Sequence, residues 1–151
     1  RSKSVPLVAF LKPLYGFIIV IEENFMAFIS TNPNPKGKNV GDCVVRALSI
    51  ALDKGWRDVF KELSILCMIE CDMPSSNRIW GEYLGENGFV RHSLADTCPL
   101  CYTVRDFCRD YPRGLYVLGS GEHAVTTIDG NYYDTWDSGD TPVLFYWTKE
   151  R

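Results

Sequence analysis

The hydrophobic pattern of the chain changes from a helical period to strands after about residue 112, and this change restricts the fold more than any other feature. Apolar residues first recur at helical spacing, which predicts four helices. They begin at Cys43, at Trp56, after Pro74 and at the Thr103 cap. Alternating segments then predict strands over residues 115–118, 123–128, 131–136 and 143–147. Helices followed by antiparallel strands are typical of an α+β fold.

Length and composition fit one globular domain. The 151 residues are 46% hydrophobic, which is enough to bury a core and argues against disorder. The net charge is −3 and no basic stripe is present, so we expect no nucleic-acid partner. Six cysteines could form three disulfides in a secreted protein. Because the helix and strand patterns can build a core without such crosslinks, we expect free thiols in a reducing compartment.

Residues 1–25 have a different hydrophobic pattern from the rest of the chain. The apolar run from Pro6 to Ile21 is interrupted by Lys12, Pro13 and Gly16, so it predicts no membrane span. No small-residue cleavage site follows it, which argues against a signal peptide. The sequence before Met26 is compatible with a purine-rich ribosome-binding site at the nucleotide level. We therefore expect residues 1–25 to be an upstream, non-native extension and residues 26–151 to form a single domain.

Cys43 lies where a polar turn, Asn39–Asp42, meets the start of a strongly apolar helix. Asp42 is suited to cap that helix. Free backbone N–H groups and the helix dipole at such a position lower the pKa of a thiol and favour the nucleophilic thiolate. The alternative is a small, buried, unreactive cysteine. A histidine, His123, follows eighty residues later at the start of a predicted strand.

The dipeptide Asp129-Gly130 predicts a two-residue hairpin that fixes which side chains lie near His123. In that register His123 lies opposite Trp136, and Asp134 is its diagonal neighbour on the same face. Asp137 then points to the other face. Asp134 is therefore the better candidate to orient the imidazole, although a one-residue bulge would exchange the two aspartates.

Five segments in this order resemble the small papain-like (clan CA) cysteine proteases of phages, prophages and anaerobic gut bacteria. They are Gly41–Ala47, Met73–Leu84, Cys98–Val104, Gly121–Val125 and Tyr133–Ser138. The resemblance spans about Asn32 to Trp147. It implies a papain-like fold in which the helix that bears the nucleophile packs on a C-terminal antiparallel sheet.

The resemblance also implies a chemistry. Cys43 would be the nucleophile, His123 the general base and acid, and Asp134 the orienting carboxylate, with Asp137 as the alternative. Asn39 would bind the oxyanion together with the Cys43 backbone N–H. The implied activity is a cysteine peptidase or isopeptidase that cleaves a peptide-like amide through a thioester. The expected enzyme is a monomer without a cofactor, acts on a protein or peptide without membrane binding, and is phage- or prophage-encoded in the bacterial cytoplasm.

Two other interpretations remain open. The same triad serves thiol acyltransferases and transglutaminase-like enzymes, in which an amine replaces water as the acceptor. The second interpretation is a non-catalytic binding module, which could be stabilised by zinc. Its cysteines would be Cys67, Cys71, Cys98 and Cys101, although only the last two have a spacing that suits zinc well.

Overall fold

Four helices and six strands occur in residues 26–95 and 99–150, the part of the chain that the computed structural model describes. The helices are α1 (Cys43–Leu52), α2 (Trp56–Glu70), α3 (Asn77–Glu86) and α4 (Val104–Asp110). The strands are β1 (Phe28–Ser30), β2 (Val90–Ser93), β3 (Leu115–Gly119), β4 (Ala124–Ile128), β5 (Asn131–Asp134) and β6 (Phe145–Thr148). The predicted α+β class is confirmed. The predicted extension, residues 1–25, lies outside the described residues.

The sheet differs from the predicted antiparallel sheet in one respect. Its strand order is β1-β5-β4-β3-β6-β2, and β1 runs parallel to β5 whereas the other pairs are antiparallel. The sheet is therefore mixed. The sequence pattern missed both edge strands, β1 and β2, because segments of three and four residues are too short to show a period. Parallel pairing of β1 holds the end of β5, where the Thr31 N–H donates to the Asp134 carbonyl at 2.7 Å.

Helices cover both faces of this sheet. Successive residues of one strand point to opposite faces, so Val117 belongs to the core beneath α1, α2 and α3, whereas Leu118 belongs to the core beneath α4. Trp80 and Phe145 stack in the first core. Phe107 of α4, which is fully buried, lies at the centre of the second. The sheet is thus the middle layer of three.

The hairpin between β4 and β5 has the predicted register. Ile128 pairs with Asn131, and the pairing continues to Thr126 opposite Tyr133. Asp129 and Gly130 both have positive φ, 48° and 76°, as the tight turn between twisted strands requires. This confirms the predicted register as far as Thr126 and Tyr133. Asp134 is the last residue of β5, and His123 immediately precedes β4.

Helix starts were predicted well, but Asp42 does not cap α1 with its side chain. It occupies the N-cap position, and its carbonyl accepts the first intrahelical bond from Arg46 N–H at 2.9 Å. Its carboxylate instead accepts from the Arg46 guanidinium and from Trp56 Nε1. The Arg46 guanidinium and the Trp56 indole N–H thus bind the Asp42 carboxylate in place of the backbone N–H groups of α1. Thr103, by contrast, forms a capping box with Asp106 at the start of α4.

Candidate active site

Cys43 is the first residue of α1, and two sets of hydrogen bonds fix its position. The turn before it is tied down because Asn34 Nδ2 donates to Asp42 Oδ2 at 3.3 Å. The helix itself is tied to the sheet because Thr126 Oγ1, fully buried on β4, donates to the Ala47 carbonyl at 2.6 Å. Both anchors lie within one or two helical turns of the thiol. Helix α1 is therefore held directly against β4.

His123 lies at the end of a tight turn just before β4. Its backbone N–H donates to Ser120 Oγ at 3.0 Å, and its carbonyl accepts from the Ser120 N–H at 2.9 Å. Its Nε2 lies 2.6 Å from Asp134 Oδ2. The Cys43 thiol interacts electrostatically with the His123 ring, and both residues line the same cleft. Because Asp134 occupies Nε2, Nδ1 is the nitrogen left to face the sulfur.

The titration properties of Cys43 and His123 are consistent with an ion pair. Burial raises the pKa of Cys43, but bonds from His123 and from the Ala124 and Val44 backbones outweigh it, and the net pKa is lowered. Burial lowers the pKa of His123, but bonds to Asp134 and Cys43 raise it to about 9. These opposite shifts favour a thiolate beside an imidazolium near neutral pH.

Asp134 is deeply buried, with 3% of its side chain exposed. Burial raises the pKa of this carboxyl, but the bond to His123 is the largest effect that opposes it, and the net pKa is lowered. The carboxylate is therefore charged where His123 meets it. Trp136 packs against His123, and the centroids of the two rings are 5.3 Å apart.

The Asp137 carboxylate binds Arg105 and Tyr132 and not His123. Both of its carboxylate oxygens accept from Arg105 Nη2, at 2.8 and 2.9 Å, and one also accepts from the Tyr132 hydroxyl. Half of its side chain is exposed. Of the two predicted aspartates, the structure brings Asp134 and not Asp137 to the histidine.

An open cleft of about 250 Å³ lies beside Cys43 and His123. Its walls are the start of α1, the start of α3 and the turn before β4. The lining residues are Cys43, Val44, Ser75, Asn77, Trp80, Gly121, Glu122, His123 and Ala124.

Asn39 is exposed and is not among these lining residues, so the structure does not bring the predicted oxyanion residue to the cleft. Asn77 is the side-chain amide that lines it. Its Oδ1 accepts from Trp80 Nε1 at 3.1 Å, which leaves the amide nitrogen to meet an oxygen in the cleft.

The other described cysteines differ from Cys43. Cys67, Cys71, Cys101 and Cys108 are free thiols. Burial raises the pKa of Cys67, and raises that of Cys108 to about 12. Within residues 26–95 and 99–150, no three His, Cys, Asp or Glu side chains are grouped closely enough to hold a metal ion. Cys98 of the predicted zinc set lies outside those residues.

Sequence reasoning missed two residues that the structure places at the site. Arg46 is 5% exposed and lies between Asp42 and Asp134. A signal was present, since it is the one charged residue within the apolar stretch Cys43–Leu52. Asn77 gave no comparable signal because an asparagine at a helix start normally has a capping role.

Comparison with family models, with curated proteins and with solved structures finds no match to the chain. Among the described residues, no helix is long and apolar enough to cross a membrane.

Proposed function

We propose that this protein is a papain-like cysteine hydrolase, a peptidase or isopeptidase that cleaves a peptide-like amide. The observation that carries the proposal is that Cys43 and His123 line one cleft, with His123 Nε2 2.6 Å from the buried Asp134 carboxylate. A thiol at a helix start, a histidine before a strand and a carboxylate on the paired strand are the parts that such an enzyme needs. The other described thiols have no comparable partner.

The reaction follows from these groups. The Cys43 thiolate attacks the carbonyl carbon of the substrate, and the C–N bond breaks as the His123 imidazolium gives its proton to the leaving amine. A thioester on Cys43 results. His123 then takes a proton from water, whose hydroxide displaces the thiolate and releases the carboxylic acid. Asp134 keeps the imidazole oriented through both steps.

The cleft offers two donors to the oxygen that becomes negative in the intermediate. The Cys43 backbone N–H belongs to the first turn of α1, where N–H groups lack intrahelical acceptors. The Asn77 amide lines the same cleft. We assign the oxyanion to these two groups instead of Asn39.

A peptide-library experiment tests the function. The protein, the Cys43→Ala variant and a Cys71→Ala control are each incubated with a proteome-derived peptide mixture, and new peptide termini are identified by mass spectrometry. We expect new termini with the wild type and the Cys71→Ala control only. Identical peptide patterns with wild type and Cys43→Ala would overturn the proposal.

The same experiment separates hydrolysis from acyl transfer, since both pass through the Cys43 thioester. With a primary amine added, a hydrolase still releases mainly the free acid. An acyltransferase instead attaches the amine to the new carboxyl terminus. Predominant amide formation at millimolar amine would favour the transferase.

A further inference from the structure

Arg46 is a buried arginine on the nucleophile's own helix. Only 5% of the residue is exposed, and its neighbours Val45 and Ala47 belong to the hydrophobic core. Arginine is rarely buried in this way unless its charge is paired. The burial of Arg46 therefore depends on the charged groups that surround it.

The two ends of the guanidinium fork face two different carboxylates. Nη1 forms an ion pair with Asp42 Oδ1 and also donates to the Val40 carbonyl at 3.4 Å. Nη2 lies 3.6 Å from Asp134 Oδ1. Arg46 thus bridges the residue that precedes the nucleophile and the residue that orients the histidine.

Both oxygens of Asp134 have partners. Oδ2 lies against His123, whereas Oδ1 accepts from the Thr135 N–H at 2.7 Å and faces Arg46. A carboxylate held on both oxygens cannot rotate without breaking one set of contacts. Arg46 thus faces the carboxylates of Asp42, just before α1, and of Asp134, at the end of β5, and Asp134 in turn meets His123.

We propose that Arg46 is a positioning residue of this site, which fixes the Asp134 carboxylate with Oδ2 toward His123 and ties it to the start of the nucleophile's helix. The inference rests on the function proposed above. The planar fork suits this task because its two terminal nitrogens can meet two carboxylates in fixed directions, whereas a lysine ammonium is a single point charge. A role in folding alone would not require an arginine, because apolar side chains of similar volume replace buried ion pairs well.

The test measures the His123 pKa by NMR of its ring, together with the rate at which iodoacetamide alkylates Cys43. The variants are Arg46→Gln and Arg46→Lys, with Arg105→Gln as the matched control at the exposed arginine. Without the fork, Asp134 keeps its bond from the Thr135 N–H but loses its tie to α1. Its Oδ2 is then held less firmly toward His123, so Arg46→Gln should lower the His123 pKa by about one unit. Alkylation at neutral pH should fall about 10- to 100-fold. Arg46→Lys should be intermediate, and Arg105→Gln should match the wild type.

The outcomes are distinct. A folded Arg46→Gln variant with the wild-type His123 pKa would overturn the proposal. So would a raised His123 pKa, since that is the effect of removing a nearby cation without moving the carboxylate. Because Arg46→Gln leaves Asp42 unpaired in the interior, the double variant Asp42→Asn/Arg46→Gln is measured in parallel. If both unfold while Arg46→Lys retains the wild-type pKa, Arg46 has a role in folding only.

The alkylation rates also separate this inference from the proposed function. If wild-type Cys43 reacts no faster than Cys71, the function fails, whatever Arg46 does. If wild-type Cys43 is selectively reactive and the folded Arg46 variants are indistinguishable from it, only the role of Arg46 fails.

Discussion

Two aspartates three residues apart, Asp134 and Asp137, each lie beside a cation, and their surroundings give them different tasks. Asp134 ends β5 in the interior and holds His123 at 2.6 Å. Asp137 lies in the turn that follows, half exposed, and accepts two bonds from Arg105. Arg105 also reaches Asp140 at 3.0 Å, so it fastens this turn to α4. Residue type and sequence proximity do not distinguish the carboxylate that contacts His123 from the one that holds a surface turn, but strand parity and burial do.

The comparison also explains why the Asp134 pair matters more than its distance alone suggests. Charges in the interior are screened less by water and salt than charges at the surface, so the same geometry has a larger effect there. The pKa of Asp137 is lowered by its bonds to Tyr132 and Arg105. In a half-exposed turn that shift has little consequence for stability. The following predictions test this contrast, beginning with the largest effect.

Replacing one aspartate at a time should separate the two roles. Asp134→Asn should lower kcat/KM about 1,000- to 10,000-fold, by analogy with the loss of the orienting carboxylate in serine proteases. Asp137→Asn should stay within about 2-fold of the wild type. Steady-state kinetics on a peptide identified from the library measure both. Equal losses in the two variants would contradict the assignment of Asp134 alone. They would indicate that the β4–β5 hairpin has in solution the one-residue bulge that exchanges the two aspartates.

Of the two aspartates, only Asp134 should affect the pH profile. Activity should rise with pH as Cys43 ionises below its ordinary value and fall again near pH 9, where the His123 imidazolium loses its proton. Burial lowers the pKa of His123 and Asp134 raises it, so Asp134→Asn should move the basic limb to lower pH. Asp137→Asn should leave the limb near 9. A basic limb that is unchanged in Asp134→Asn would contradict the assigned pair.

Trp136 should have an intermediate effect. Its ring lies against the His123 ring and is half exposed, so it restricts the orientation of the imidazole from one side. Trp136→Ala should lower kcat/KM about 10-fold through weaker orientation of the imidazole, with Trp136→Phe restoring most of the loss. The control is the melting temperature, which should change little because the ring is at the surface. Wild-type kinetics in Trp136→Ala would mean that the indole has no part in the site.

The smallest effect should come from the exposed cluster itself. Arg105→Gln removes the bonds to Asp137 and Asp140 but leaves Asp134 and His123 untouched. The melting temperature should fall by less than about 5 °C, and added salt should reduce the difference from the wild type. Thermal unfolding at low and high ionic strength measures this. A larger loss that persists in salt would show that the turn after β5 supports the core.

The parts of this site that sequence predicted depend on local signals. Asp129-Gly130 admits one tight turn, so the parity of β4 and β5 followed from it, and with it the choice of Asp134. Cys43 was found because a polar turn precedes an apolar helix. Each of these signals is contained within a few neighbouring residues.

What sequence did not predict depends on contacts between distant segments. The strand Phe28–Ser30 exists because β5 offers it an edge about a hundred residues later, and three residues show no period. Asp42 occupies the predicted N-cap position, but its carboxylate accepts from Arg46 and Trp56 instead of from the backbone of the helix. Asn39 was predicted from its distance to the cysteine along the chain, whereas α3 brings Asn77 to the cleft from elsewhere.

The measurement that tests the central claim most directly is the pH dependence of alkylation at each of the six cysteines, read by mass spectrometry after brief exposure to iodoacetamide. The account predicts that Cys43 reacts selectively near neutral pH, with a midpoint below the ordinary thiol value of about 8.5. His123→Ala should return that midpoint to the ordinary value, because the imidazole that stabilises the thiolate is gone. Slow and equal labelling of all six thiols would contradict the claim that Cys43 is an activated nucleophile.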